Sequence, residues 1–578
     1  MADSAAAQPG VEPGDRTVIG ISLGNSNSSI AVTVDDKPEV IANEDGDRQI
    51  PTILSYVDGD EYYGGQAKGF LVRNPNNTVA YFKDFLGREF KAIDPTHCHA
   101  SAHPKDEGGV SFTVQDKVAG EEDEEPPAPS TLSVSEITTR YLRRLVGAAS
   151  EYLGKKVTSA VITIPTNFGD KQREALTKAA NDAGIEVLQF ISEPVASILA
   201  YDARPEATVE DKIVVVADLG GTRSDIAVVA SRSGMYTVLS TVHDYEFAGA
   251  QLDQVLMDHF AKEFMKQYNV DPREKPRSLA KLKAESEATK KALSRSNNAN
   301  FSVESLADGY DFSVTINRLR YEMLARKVFE GFNRLIEGAV KKAGLDVLDI
   351  DEVILAGGTG HTPRIATNFA SIFPESTTIL APATSAVAIN PSELSVRGAA
   401  LQASLVQEFE ADDIEQSTHP AVTTVKHITN SIGVLTVGAG GEEVFTPIIA
   451  PETAVPARRT IQFPAPDDGG DVLVKIVEGN THIKVTQPEP KAKPAPENGD
   501  KSSDDDSDFD SDEEEEEEEK REKAWKIGST LAEAALKGTK KHGKVEITVT
   551  VQADLGVTVA IREVGEKGGV RGSIKGSD

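Results

Sequence analysis

The chain has 578 residues, 39% of them hydrophobic, and a formal net charge of −31. That length predicts about three to four domain-sized units with genuine cores, and the charge excludes extensive direct contact with nucleic-acid phosphates, which lysine and arginine must neutralise. The single cysteine, Cys98, excludes an intramolecular disulfide and fits a reducing compartment; although it stands between His97 and His99, no metal chemistry is assigned to it.

Residues 1–14 are read as a disordered N-terminus without the basic and apolar regions of a signal peptide. No apolar run approaches the roughly 18 residues that cross a membrane, so the expectation is a cytoplasmic protein. The first element is a strand, Val18 to Ile21, running into a glycine loop, Ile19 to Ser28, and out through a second strand, Ile30 to Val34. Gly20 and Gly24 let backbone N–H groups approach an anion, and Asn25, Ser26 and Ser28 add neutral donors. Taken alone, such a loop is also ordinary turn chemistry.

Further along, residues 92–129 are rich in glycine, proline and acids and read as a surface insertion. Helices are predicted at Ser135 to Leu153, Asp170 to Ala183, Gln251 to Tyr268, Ser278 to Ser294 and Asn317 to Ala343, where apolar residues recur at three and four. Between them lie the strand-like runs Ala160 to Ile164, Ile213 to Ala217, Ile226 to Val229 and Val353 to Leu355. This alternation predicts an α/β domain over residues 15–408.

Two of those strands run into further glycine turns. Asp218-Leu219-Gly220-Gly221-Thr222-Arg223-Ser224-Asp225 opens on an acid suited to the water shell of a magnesium ion, and Gly357-Gly358-Thr359-Gly360-His361 could touch a nucleoside. Glu287, Lys290, Lys291 and Ser294 fall on one helical face.

Residues 409–420 are a polar, acidic linker. Beyond it, at 421–578, β-branched runs at Ser431 to Val437, Val444 to Ile449, Thr460 to Phe463, Val472 to Val477, Val545 to Val551 and Leu555 to Ile561 predict a compact all-β domain. A segment at about 487–523, first proline-rich and then acidic, interrupts it and is read as a disordered loop. From Asp500 to Glu519 it carries seven aspartates and seven glutamates against Lys501 alone, a net −13 of the chain's −31. It is read either as a solubilising tract or as a partner-steering segment phosphorylated at Ser503, Ser507 and Ser511.

Together these segments resemble the heat-shock protein 70 family, which shares its ATPase fold with actin and sugar kinases. Ile19 to Ile30 resembles the first phosphate loop, Ala160 to Asp202 the first connecting segment, Asp218 to Asp225 the second phosphate loop, and Glu352 to Arg364 the adenosine motif. Phe445 to Asn480 and Val545 to Val564 resemble the peptide-binding β-sandwich. The implied architecture is an actin-like heat-shock-70 ATPase domain followed by a truncated all-β sandwich, with no helical lid expected.

The resemblance implies ATP with Mg2+ as cofactor. Lys83, Glu193 and Asp218 are implied around the γ-phosphate and attacking water, with Asp218 reaching Mg2+ through water. Gly24, Asn25, Ser26, Gly220, Gly221, Thr222 and Gly249 are implied at the phosphates, and Glu287, Lys290, Lys291, Ser294, Gly357, Gly358 and His361 at adenosine.

Departures from the family pattern bear on turnover. Ser22 stands where the family has Asp, Asn25 and Ser26 where it has threonines, Thr222 where it has a third glycine, Arg223 where it has threonine, and His361 where it has arginine. Ala248-Gly249-Ala250-Gln251 replaces a Gly-Gly-Glu-Asp run. Losing a carboxylate at the transferring phosphoryl group costs rate more than affinity, and Arg223 either crowds the loop or compensates γ-phosphate charge. The linker Glu408 to Ile414 lacks the family's leucine run and is expected to offer little apolar docking surface.

This pattern is similar to the atypical fungal members of the family, which implies ATP held rather than hydrolysed. The implied partners are a J-protein of the zuotin type bound through the β domain, the ribosome reached indirectly, a second, hydrolysing heat-shock-70 chaperone, and nascent chains. The alternative is an active chaperone ATPase that binds client peptides itself.

Overall fold

The computed structural model describes residues 13–90, 105–106, 109–117, 128–419, 425–437, 443–486, 520–566 and 568–575. Two compact units divide at Val425/Lys426.

The first unit contains two sheets built to the same plan. In the first, the strands Val18–Leu23, Asn27–Val34 and Lys37–Ile41 form an antiparallel meander, and Ser159–Ile164 and Glu186–Ser192 add in parallel beside Val18–Leu23. In the second, Lys212–Leu219, Ser224–Arg232 and Met235–Asp244 form the meander, and Glu352–Ala356 and Thr378–Leu380 add in parallel beside Lys212–Leu219. Strands such as Ser159–Ile164 are buried along their whole length, which is why they read as continuous apolar runs flanked by helices rather than as alternating ones. Each meander's first turn is one of the two glycine loops, so the repeated topology presents two hairpins to one cleft.

Three readings change here. The segment 92–129 is more than a surface insertion: the strand Val110–Val114 buries Val110, Phe112 and Val114 in the first lobe's core, with the Phe112 and Phe85 ring centroids 6.3 Å apart. Composition conceals it because five apolar-alternating residues sit between acid-rich flanks. Cys98, His97 and His99 lie outside the described residues. The helix expected from Asn317 to Ala343 breaks at Ala325 into Arg318–Leu324 and Arg326–Lys342; Asn317 caps the first piece by accepting from the Arg320 N–H at 2.7 Å.

The third change concerns the linker. Residues Ala411–Thr418 are helical, and Ile414 packs against the buried cluster of the first unit that holds Val18, Leu188, Ile191 and Val406. Arg16 donates to the Phe409 carbonyl at 2.6 Å. One isoleucine at the right helical position therefore provides the apolar contact that a leucine count would miss.

The second unit is a β-sandwich, and every element among its described residues is a strand. One sheet runs Glu443–Ile449, Ser431–Val437, Gly470–Thr486, Lys520–Thr539; the other runs Ala457–Pro464, Lys544–Val551, Val557–Glu563, Gly569–Ile574. Alternation along Lys544–Val551 points Val545, Ile547, Val549 and Val551 at Ile432, Val434, Val474 and Ile476 across the core. The strands Lys520–Thr539 and Gly569–Ile574 carry no strand signal in the sequence. Alanine and lysine dominate the first of them, and long-range pairing with Gly470–Thr486 overrides that composition. Residues 487–519 of the expected acidic loop lie outside the described residues, and Lys520 to Lys523, at its expected end, are already strand.

Candidate nucleotide site

The two hairpin turns meet. The Asn25 side-chain amide donates to the Thr222 hydroxyl at 3.0 Å, joining the first turn to the second. Asn25 is buried, and its Oδ1 has no partner within the protein. Thr52 fixes the first turn by donating to the Gly24 carbonyl at 2.8 Å, and its N–H donates to the Ser26 carbonyl at 3.0 Å. A Cβ on Gly221 would stand 2.4 Å from the Ser26 hydroxyl, which would have to rotate away, so glycine lets the two turns approach this closely.

Ser22 lies on the strand that leads into the first turn, opposite Thr163 on the neighbouring parallel strand. The Thr163 hydroxyl donates to the Ser22 hydroxyl at 3.2 Å. A neutral pair thus stands at the position where the family resemblance leads one to expect a carboxylate.

Beyond the turns, Lys83 and Glu193 are both buried and their charged atoms approach to 3.7 Å. Burial raises the Glu193 pKa, opposed by the Lys83 charge. Asp218 is the penultimate residue of the first strand of the second sheet, and burial, followed by the charges of Glu193 and Asp225, pushes its carboxyl up to about 8. Thr166, Glu193, Pro194, Asp218 and Asp225 line one small cavity.

Arg223 does not point freely toward a γ-phosphate. Its guanidinium grips Asp225 in a fork, Nε to Oδ2 at 2.7 Å and Nη2 to Oδ1 at 2.8 Å, and adds bonds to Asn167 Oδ1 and the Tyr245 hydroxyl, both at 3.3 Å. His243 Nδ1 lies 3.1 Å from Asp225 Oδ1. Burial would raise the Asp225 pKa, but Arg223 and His243 hold it low.

Gly249 and the residues expected at adenosine come from other elements. Gly249 opens the helix Gly249–Tyr268; its N–H donates to the Gly220 carbonyl at 3.0 Å and the Ala250 N–H to the Gly221 carbonyl at 2.8 Å. The Gln251 side chain accepts from the Ala248 N–H at 3.1 Å, so it caps the helix. Lys290 reaches the Gly249 carbonyl at 2.9 Å and Asp253 at 2.8 Å. Glu287 receives Lys68 and Lys291 at 2.8 and 2.7 Å, and Ser294 turns back onto the Lys290 carbonyl at 3.3 Å.

Gly357 adopts a φ of +77°, and a Cβ there would lie 2.5 Å from both Asp218 Oδ1 and the Leu219 carbonyl. Gly358 is exposed beside it. Thr359 donates to the Gly220 carbonyl at 2.9 Å, and His361 Nε2 lies 3.1 Å from the Ser392 hydroxyl, its pKa lowered by burial.

Sequence reasoning missed Lys68, Thr52, Thr163 and Asp253. All lie far in sequence from the residues they hold and belong to no glycine motif, so nothing local marked them.

The Hsp70 protein family profile matches residues 18–490. The chain belongs to the heat-shock protein 70 family. Relatives within the family cover nearly its whole length. The ribosome-associated complex subunit SSZ1 of Saccharomyces cerevisiae is 41% identical over 561 residues, 96% of this chain and 99% of its own. A heat shock protein 70 homolog of Schizosaccharomyces pombe is 43% identical over 562 residues, 96% of each chain. The heat shock cognate 70 kDa protein 3 of Dictyostelium discoideum is 31% identical over 80% of this chain and 71% of its own.

Family members bind nucleotide with Mg2+, and the donor set here fits both. The close-packed glycine turns offer backbone N–H groups as a cradle for phosphate oxygens and Lys83 supplies charge, while Asp218 and the unpartnered acceptor Asn25 Oδ1 would accept from the water shell of Mg2+. Among the described residues no helix is long and apolar enough to cross a membrane.

Proposed function

We propose that this chain is a hydrolysis-deficient, ATP-holding cochaperone. In this reading it pairs stably with a zuotin-type J-protein on cytoplasmic ribosomes, and the pair stimulates a second, hydrolysing heat-shock-70 chaperone that acts on nascent chains. The observation that carries it is the neutral Ser22–Thr163 pair at a site that otherwise keeps Lys83, Glu193 and Asp218. Binding needs the cradle, whereas phosphoryl transfer needs charge placed on metal and water. End-to-end similarity to a subunit named for the ribosome-associated complex supports the assembly.

The ATP arm is tested by determining the nucleotide carried by the purified protein and following a single turnover. ATP that persists intact is expected; rapid conversion to ADP rejects the reading.

The J-protein is assigned to the β-sandwich, whose sheets end in four edge strands, Glu443–Ile449, Lys520–Thr539, Ala457–Pro464 and Gly569–Ile574. An extended partner segment can add to such an edge through main-chain hydrogen bonds. Hydrogen exchange with and without the partner is expected to show protection within residues 421–578. Its absence there sinks the assignment.

The buried Lys83–Glu193 pair favours a second reading, an active chaperone ATPase that binds clients itself. Steady turnover abolished by Glu193→Ala or Asp218→Ala would support it over the first.

A further inference from the structure

Four carboxylates and two cations crowd the phosphate end of the cleft. Asp218 is the penultimate residue of the strand Lys212–Leu219, Asp225 lies on Ser224–Arg232, Glu193 opens the helix Glu193–Asp202, and Asp84 follows Lys83 in the short helix Lys83–Phe85. All four acids act on the same electrostatic neighbourhood, opposed by Lys83 and Arg223 and, at Asp225, also by His243. His243 faces Asp225 from the strand Met235–Asp244, with Tyr245 beyond it. Asp84 and Glu193 are buried, and Asp84 Oδ2 has no partner. Burial and mutual repulsion raise the Glu193 and Asp218 pKa values, whereas Asp225 is held charged, so Asp225 is a fixed negative charge that an entering triphosphate meets.

Arg223 is 8% exposed and makes four hydrogen bonds, two of them to Asp225. Both Asp225 oxygens are thereby occupied. A fork of this kind suits arginine, whose planar donors match a carboxylate, and not lysine, which offers a point charge. The same residue shapes the turn, because its carbonyl accepts from the Gly220 N–H at 2.9 Å.

We infer that Arg223 is a built-in counter-ion: it cancels Asp225 and holds the second phosphate turn ready for a triphosphate, making nucleotide affinity less dependent on dissolved cations. The inference rests on the ATP-holding reading and deepens it. Arg223 is a positioning residue here, acting through Asp225 and the turn. A fixed guanidinium needs no reorganisation when the nucleotide arrives, whereas a free ion must be captured with it.

The test is equilibrium binding of ATP to the full chain, once with Mg2+ and once with EDTA, for the wild type, R223M, R223K, D225N and the double variant R223M/D225N. The wild type is expected to lose less than about fivefold in affinity when Mg2+ is removed. R223M is expected to lose about thirtyfold, the effect of one uncancelled charge at a distance of about 8 Å in a partly screened site. The double variant restores the charge balance and should return to within about threefold of the wild type, a rescue that a merely structural arginine would not permit. R223K, with charge but no fork, should fall between.

Equal Mg2+ dependence in wild type and R223M, or no rescue in the double variant, overturns the inference while leaving ATP binding intact. Should R223M fail to fold, D225N decides alone: it is near-isosteric and should bind ATP more tightly than the wild type in EDTA, and weaker binding overturns the inference. A wild type that binds no ATP in either buffer rejects the ATP-holding reading itself.

Discussion

Lys68 and Glu287 join the two lobes of the first unit: the Lys68 ammonium lies 2.8 and 2.9 Å from the two Glu287 oxygens, linking the helix Gly64–Arg73 to the helix Pro276–Arg295. Burial would raise the Glu287 pKa, but Lys68 and Lys291 draw it down to about 2. The pair is partly solvent-accessible, so its worth is that of a modest ion pair. Lys68→Ala is expected to speed nucleotide release about two- to fivefold, read as the dissociation rate of a fluorescent ATP analogue. An unchanged rate would show that the cleft is held shut by other contacts.

Asn25 serves both turns at once. Replacing it with alanine removes the bond to Thr222 that joins the turns, and ATP affinity is expected to fall about 5- to 30-fold. Titration calorimetry measures this directly. A loss confined to thermal stability, with affinity intact, would assign Asn25 to the scaffold alone.

The raised Asp218 carboxyl makes the nucleotide-free protein sensitive to pH. Its pKa stands near 3.8 when unfolded and at about 8 when folded, so between those values the native state holds a proton that the unfolded state has released. Stability from this group therefore declines as pH rises from about 4 to 8. Nucleotide-free Asp218→Asn should melt about 2–4 °C above the wild type at pH 8, and the gap should close toward pH 4. A gap that widens on acidification contradicts the assignment.

Ile547 is almost fully buried in the sandwich core, which is built only from residues of the second unit. Ile547→Ala should cost about 2–5 kcal/mol. Calorimetry and limited proteolysis should place that loss in the second unit, while ATP affinity stays unchanged. A fall in affinity would reveal coupling through the chain.

Much of the fold is legible because the central strands of the two sheets of the first unit are buried on both faces and advertise themselves as apolar runs such as Ile213 to Ala217 and Val353 to Leu355. The glycine turns are legible for the same reason: they follow those strands directly. What escapes notice depends on distance in sequence. Phe112 reads as one apolar residue in an acidic stretch until Phe85 packs against it. Ala534 and Ala535 read as helix formers until Val474 and Leu473 pair with them. Arg223 stands out as an oddity in the sequence, but its fork on Asp225 is visible only once the turn is closed.

The Gly357 turn presses against both Asp218 and Leu219, and Thr359 is tied to Gly220. On the proposed nucleotide assignment, these contacts fasten the base end of the cleft to its phosphate end. Shortening the nucleotide by one phosphate is then felt at the purine end as well, and a dye placed near His361 would tell ATP from ADP without touching a single phosphate.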